Sequence, residues 1–147
     1  MKPVITAMRM LPAVELTVTA ERTYGSFVAP HLWVTVMAHA HGGAMVGCVG
    51  YGLSPIFDRI YVDGLHIEPE FRCRGYAGSL LRAIVKACST NGHSIPITAL
   101  HEVFASSSFW AGLRAGLVPG LTVTQDVRVS EMDAEASRWK AALIAAS

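Results

Sequence analysis

The chain is short of cysteine, of charge and of long apolar runs. Its three cysteines, Cys48, Cys73 and Cys88, form no Cys-x-x-Cys pair and are odd in number, which argues against a disulfide framework or a thiolate zinc site. They read as reduced thiols. A formal net charge of +1 with 16% charged residues provides no global field, so neither nucleic acid nor a membrane surface is expected as a partner. No run of about 18 apolar residues exists to form a membrane-spanning helix. Met1 to Leu11 carries Lys2 and Arg9 without an apolar signal-peptide core, and the expected location is the cytoplasm. Three nucleotide and nucleophile signatures are also missing. There is no Gly-x-x-x-x-Gly-Lys-Ser/Thr and no Gly-x-Ser-x-Gly, and Gly47, Gly50 and Gly52 lack Gly-x-Gly-x-x-Gly spacing.

What remains is material for one core. With 147 residues, 52% of them apolar, the chain is expected to fold as a single domain over 1–147 with an added helix at about 131–146. Val14 to Thr19 alternates as a half-buried strand, and Leu32 to Ala40 and Ala44 to Leu53 form a hairpin across His41-Gly42-Gly43. His39 and His41 share a spacing that suits a metal, but no third ligand accompanies them and no metal site is expected. Ile60 to Ile67 is a further strand. Tyr76 to Thr90 repeats apolar residues at Ala77, Leu80, Leu81, Ile84 and Cys88, the spacing of a one-faced helix. Ser94 to Leu100 then completes a parallel β-α-β unit, with Pro96 interrupting its ladder. Ser106 to Ala115 reads as a short helix, Leu121 to Val129 as a strand, and Met132, Ala136, Trp139 and Leu143 as one stripe of a terminal helix. The fold class is α+β, with a mixed, mostly antiparallel central sheet.

The informative stretch joins the strand to the first helix. Arg72-Cys73-Arg74-Gly75-Tyr76-Ala77 is a basic, glycine-containing turn at a helix start, where backbone N–H groups lack intrahelical partners and carry partial positive charge. Such a turn suits a pyrophosphate. The run Leu65-His66-Ile67-Glu68-Pro69-Glu70-Phe71 followed by Arg72 to Ala77 resembles the acyl-CoA-binding motif of the GNAT N-acetyltransferase superfamily, Leu-x-Val-x-Pro-x-Tyr-Arg/Gln-x-x-Gly-x-Gly/Ala. Phe109-Trp110 to Gly116-Leu117 is similar to the second short helix of that family, so the resemblance extends from about Leu32 to Leu117.

The resemblance implies a fold and a chemistry. Acetyl-CoA would be the co-substrate and an amine the acceptor, with no metal, and a homodimer is compatible with this. The backbone of Leu65, His66 and Ile67 would pair with the pantetheine arm. The turn of Arg72, Cys73, Arg74, Gly75, Tyr76, Ala77 and Gly78 would hold the pyrophosphate, with Gly75 and Ala77 keeping bulk away and Arg72 and Arg74 adding charge. Trp110 would pack on the pantetheine. For proton transfer, His66 and Asp63 lie on the strand facing the acceptor, His101 ends the next strand, and Ser107 stands where a hydroxyl would orient the thiol or a water. The phenol common in the family is replaced by Gly112. A non-catalytic module on the same fold is the alternative expectation. Val14 to Pro30 also leaves little room for the helices that wall the acceptor site in relatives.

Overall fold

The computed structural model describes residues 11–23, 32–89, 94–100 and 107–146. Five strands form one sheet in the order β1-β2-β3-β4-β5. They are β1 (Val14–Thr23), β2 (Leu32–Ala40), β3 (Met45–Leu53), β4 (Ile60–Ile67) and β5 (Ile97–Ala99). The first four pair antiparallel, and β4 pairs parallel with β5 from Ile60 to Val62. Between these two runs α1 (Tyr76–Cys88), and α2 (Ser107–Arg114) and α3 (Met132–Ala146) follow. The sheet is thus mixed and mostly antiparallel, as its strand patterns predict. The strand expected at Val14 to Thr19 continues to Thr23, taking up chain that would otherwise supply helices.

Each face of the sheet has its own core. Val34, Val36, Val49, Ile60 and Val62 project to one side and meet Leu80, Leu81 and Ile84 of α1 and Leu113 of α2. Ile60, Leu80, Leu81 and Ile84 are fully enclosed, so each contributes about 1.5–3 kcal/mol by burial. On the other side Tyr61 meets Met132, Ala136 and Trp139 of α3. Alternation along β4 sends neighbouring residues to different helices.

The segment expected as a strand from Leu121 to Val129 is instead an irregular run held by two parallel bridges, Ile97 to Val123 and Leu100 to Val127. The bridges are three residues apart on the inner chain and four on the outer, so no common register spans them. A continuous ladder cannot form. The segment still buries Leu121 and Val127, which explains its alternating pattern. β5 is shorter than Ser94 to Leu100 because Pro96 has no N–H, although its carbonyl accepts from Ile60 at 2.9 Å.

A polar knot fastens α3 to the start of β4. The Trp139 Nε1–H donates to the Tyr61 hydroxyl at 2.9 Å, and that hydroxyl donates to the Glu135 carboxylate. Arg59 bonds the same carboxylate at 3.0 Å, and Arg138 bridges Glu135 and Asp58. Burial pushes the Glu135 carboxyl up, yet the bonds from Arg138 and Tyr61 outweigh it and leave the group below its usual range. Asp58 behaves likewise through Arg138 and Ser54. Burial and the adjoining Glu135 raise the Tyr61 phenol well above its ordinary value.

Candidate functional site

The site begins with a dislocation in β4. Gly50 of β3 faces Asp63 and Cys48 faces His66, so between these pairs one residue of β3, Val49, is opposed by two of β4, Gly64 and Leu65. Gly64 adopts φ +68° there, a left-handed conformation that glycine takes at little cost. This is a β-bulge, and it shifts the strand's phase by one. Ile60 and Val62 before it, and Leu65 and Ile67 after it, pack towards α1, which leaves Asp63 and His66 together on the opposite face. A glycine inside an apolar strand is the sequence signal for this, and simple alternation misses it.

Among the described residues Val62 is the last residue of β4 that pairs with β5, and the last bond between the two is the Leu100 N–H to the Val62 carbonyl at 2.8 Å. Residues Asp63 to Ile67 therefore have no β-ladder partner on that side among the described residues. The opening meets the start of α1, where Gly75 sits at φ +87° as the cap and supplies no side-chain bond. Ser79 is the first residue of the helix to bond back, its N–H reaching the Gly75 carbonyl at 3.0 Å. The amides of Tyr76, Ala77 and Gly78 consequently belong to the unpaired first turn of a 13-residue helix.

A cleft of about 600 Å³ joins these features. Leu65, His66 and Ile67 form one wall; Arg72, Cys73, Gly75, Tyr76, Ala77 and Gly78 form the end; Phe109, Leu113, Leu117 and Val118 form the other wall. Its size and largely apolar lining suit a small-molecule site with polar groups at one end. Phe71 and Tyr76 meet edge to face at 5.4 Å beside it. Leu11 also lines it, anchored next to α1 by a 2.6 Å bond from the Ser79 hydroxyl to the Pro12 carbonyl.

The residues singled out in the sequence fall into three groups. Leu65, His66, Ile67, Arg72, Cys73, Gly75, Tyr76, Ala77 and Gly78 all border the cleft, whereas Arg74 is exposed and is not part of its lining. Arg72 turns back over the strand end, donating from Nε to the Ile67 carbonyl at 2.9 Å, so its cation stands at the cleft mouth. Asp63 lies outside the cleft on the face shared with His66, and the His66 Nε2 is 3.5 Å from the Glu68 carboxylate. Ser107 opens α2 without lining the cleft, and His101 lies outside the described residues.

One aromatic expectation is not met. Trp110 is only 5% exposed and belongs to the core, so it does not present its ring to the cleft. Its neighbour Phe109 does. Phe71, at the motif's aromatic position, also lines the cleft, and Leu11, Leu113 and Val118 are further lining residues from outside the matched run or from spacer positions.

Among the described residues no group of histidine, cysteine and carboxylate side chains suits a metal, and no helix is long and apolar enough to cross a membrane. Among the described residues the unpaired edge of β4 and the uncapped start of α1 thus meet in one cleft of this α+β fold. Residues 8–108 match the acetyltransferase (GNAT) family, and the chain belongs to it. Acyl transfer is the class of reaction that gives the family its name.

No curated protein matches the chain. Among solved structures it is similar to nourseothricin acetyltransferase, with 17% identity over 60% of this chain and 62% of that one, at a TM-score of 0.33. The chain thus spans less than two thirds of that protein. It is also similar to a putative acetyltransferase from Deinococcus radiodurans R1, with 14% identity over 84% of this chain and 94% of that one, at a TM-score of 0.44. Both likenesses are distant.

Proposed function

We propose that the protein transfers the acetyl group of acetyl-CoA directly to the nitrogen of an amine. The observation that carries this reading is the junction of an unpaired β4 edge with the uncapped start of α1 in one cleft. An extended pantetheine arm fits the first by adding a strand, and a pyrophosphate fits the second by accepting from backbone N–H groups. The residues present suit the donor. Small side chains at Gly75, Ala77 and Gly78 allow close approach of phosphates, and Arg72 adds a cation near them.

In this reaction the amine attacks as the neutral base. Its lone pair forms the C–N bond at the thioester carbonyl carbon, and the C–S electrons leave with sulfur. The proton lost by nitrogen ends on that sulfur, giving an amide and coenzyme A. An N–H in the Leu65 to Ile67 segment would steady the carbonyl oxygen as it gains charge. His66, on the edge of the cleft and exposed, is positioned to receive the amine proton directly or through water, with Glu68 as its neighbour. Asp63 and His101, the latter outside the described residues, are the other candidate bases, and Ser107 is a candidate to orient the thiol or a water. Tyr76 is the one phenol lining the cleft among the described residues, and it stands at the helix start rather than near the thioester.

The alternative, a module that binds acyl-CoA without turnover, draws support from Gly112, which stands on α2 where relatives place a tyrosine. Release of free thiol from acetyl-CoA over a panel of amines separates the two. Amine-dependent release is expected. Stabilisation by acetyl-CoA with no release on any amine would favour the binding module.

A further inference from the structure

We infer that the acceptor carries a second amino group, held as an ammonium by Asp63 beside the indole of Trp33, while the first amino group is acetylated near His66. The inference rests on the acetyl-transfer reading above and names the acceptor class for it.

Its basis is the sheet face opposite α1. Gly50 is the direct cross-strand partner of Asp63, and Trp33 occupies the space that a side chain at position 50 would fill. The Trp33 Nε1 lies 2.6 Å from where that Cβ would stand. The indole and the Asp63 carboxylate therefore flank one position of the sheet. Asp63 is exposed and Trp33 half-buried, and among the described residues neither the carboxylate nor the indole N–H has a hydrogen-bond or ionic partner. A carboxylate and an aromatic side chain on one sheet face are a combination that binds ammonium. Thr35, Gly50 and Cys48, in that row and the next, carry no charge, and Arg22 is the cross-strand partner of Trp33 on β1.

The chemistry fixes how many amino groups are needed. The attacking nitrogen must be neutral and ends as an amide, so its charge cannot remain paired with Asp63 through the reaction. A second ammonium can, because nothing happens to it. Its distance follows from the register. Asp63 faces Gly50 and His66 faces Cys48, two residues along β3, which is about 7 Å at the usual strand rise. A chain of four or five carbons between amino groups spans that interval.

The test compares 1,4-diaminobutane with butylamine by thiol release, and measures binding of acetyl-CoA and of 1,4-diaminobutane separately by calorimetry. Wild type is expected to favour the diamine at least tenfold in kcat/KM. In Asp63→Asn that preference should fall at least fivefold, mainly through KM, and Trp33→Leu, which removes the aromatic ring, should lower diamine affinity by a smaller factor. Equal kcat/KM for the two amines in wild type, or an undiminished preference in Asp63→Asn, overturns the inference. So does binding of acetyl-CoA without binding of the diamine. Asp63-dependent diamine binding in a protein that ignores acetyl-CoA would support this site while removing the acetyl-transfer reading.

Discussion

A side chain at Gly47 would place its Cβ 2.1 Å from the carbonyl oxygen of His66. The two strands approach so closely there that β3 supports the backbone of the cleft wall directly. Because the obstruction is backbone, it cannot be relieved by a rotamer change. Gly47→Ala is expected to displace β4 beyond the bulge, lowering kcat/KM at least tenfold and stability by about 1–3 kcal/mol. Urea midpoints and thiol-release kinetics measured on the same preparation would check it; an active, equally stable variant would show that the approach is looser than described.

The knot between α3 and β4 makes a separate claim about stability. Trp139→Ala removes the largest enclosed side chain and the donor to Tyr61, and should cost about 3–5 kcal/mol in chemical denaturation. Trp139→Phe keeps most of the volume and should cost about 1–2 kcal/mol, chiefly the lost bond.

Acid should loosen the same knot. Asp58 and Glu135 both have folded values below their ordinary 3.8 and 4.5, so their contribution is fully present above those values and is lost as pH falls through the lower folded ones. Melting temperature should thus drop below about pH 4.5, and Glu135→Gln should flatten that acid limb. A limb of unchanged steepness in the variant would assign the acid sensitivity elsewhere.

Cysteine labelling reads the cleft without kinetics. Cys73 is exposed and borders the cleft, whereas Cys48 and Cys88 are half-buried and burial pushes the Cys88 thiol up. Under limited iodoacetamide Cys73 should be modified first, and acetyl-CoA should slow it several-fold. Earlier modification of Cys48 or Cys88, or no protection, would contradict the placement of the donor.

How much of this was legible in the residues depends on the range of each interaction. The strands from Leu32 to Ile67 and the stripe of α1 follow from periods of two and 3.6 over contiguous residues, and they are found where those periods put them. The turn at Gly75 was legible because a motif, a glycine and a helix start coincide within six residues. Relationships set by tertiary register were not. The pairing of Asp63 with His66 on one face needs the bulge at Gly64, and the bonds joining Tyr61 to Glu135 and Trp139 cross more than 70 positions of sequence. The run from Leu121 to Val127 shows the same limit in reverse, since its alternation reports burial against β5 and not a ladder.

The central claim is that the cleft at the start of α1 binds the pyrophosphate of acetyl-CoA, and titration calorimetry of wild type against Gly75→Glu tests it most directly. At φ +87°, with Pro12 Cδ 3.2 Å from the added Cβ, the variant carries strain, bulk and an anion at the cap. Circular dichroism would verify that it remains folded. The account predicts one acetyl-CoA per wild-type chain and at least thirtyfold weaker binding in the folded variant. Equal affinity in the two proteins, or no binding to wild type, would contradict it.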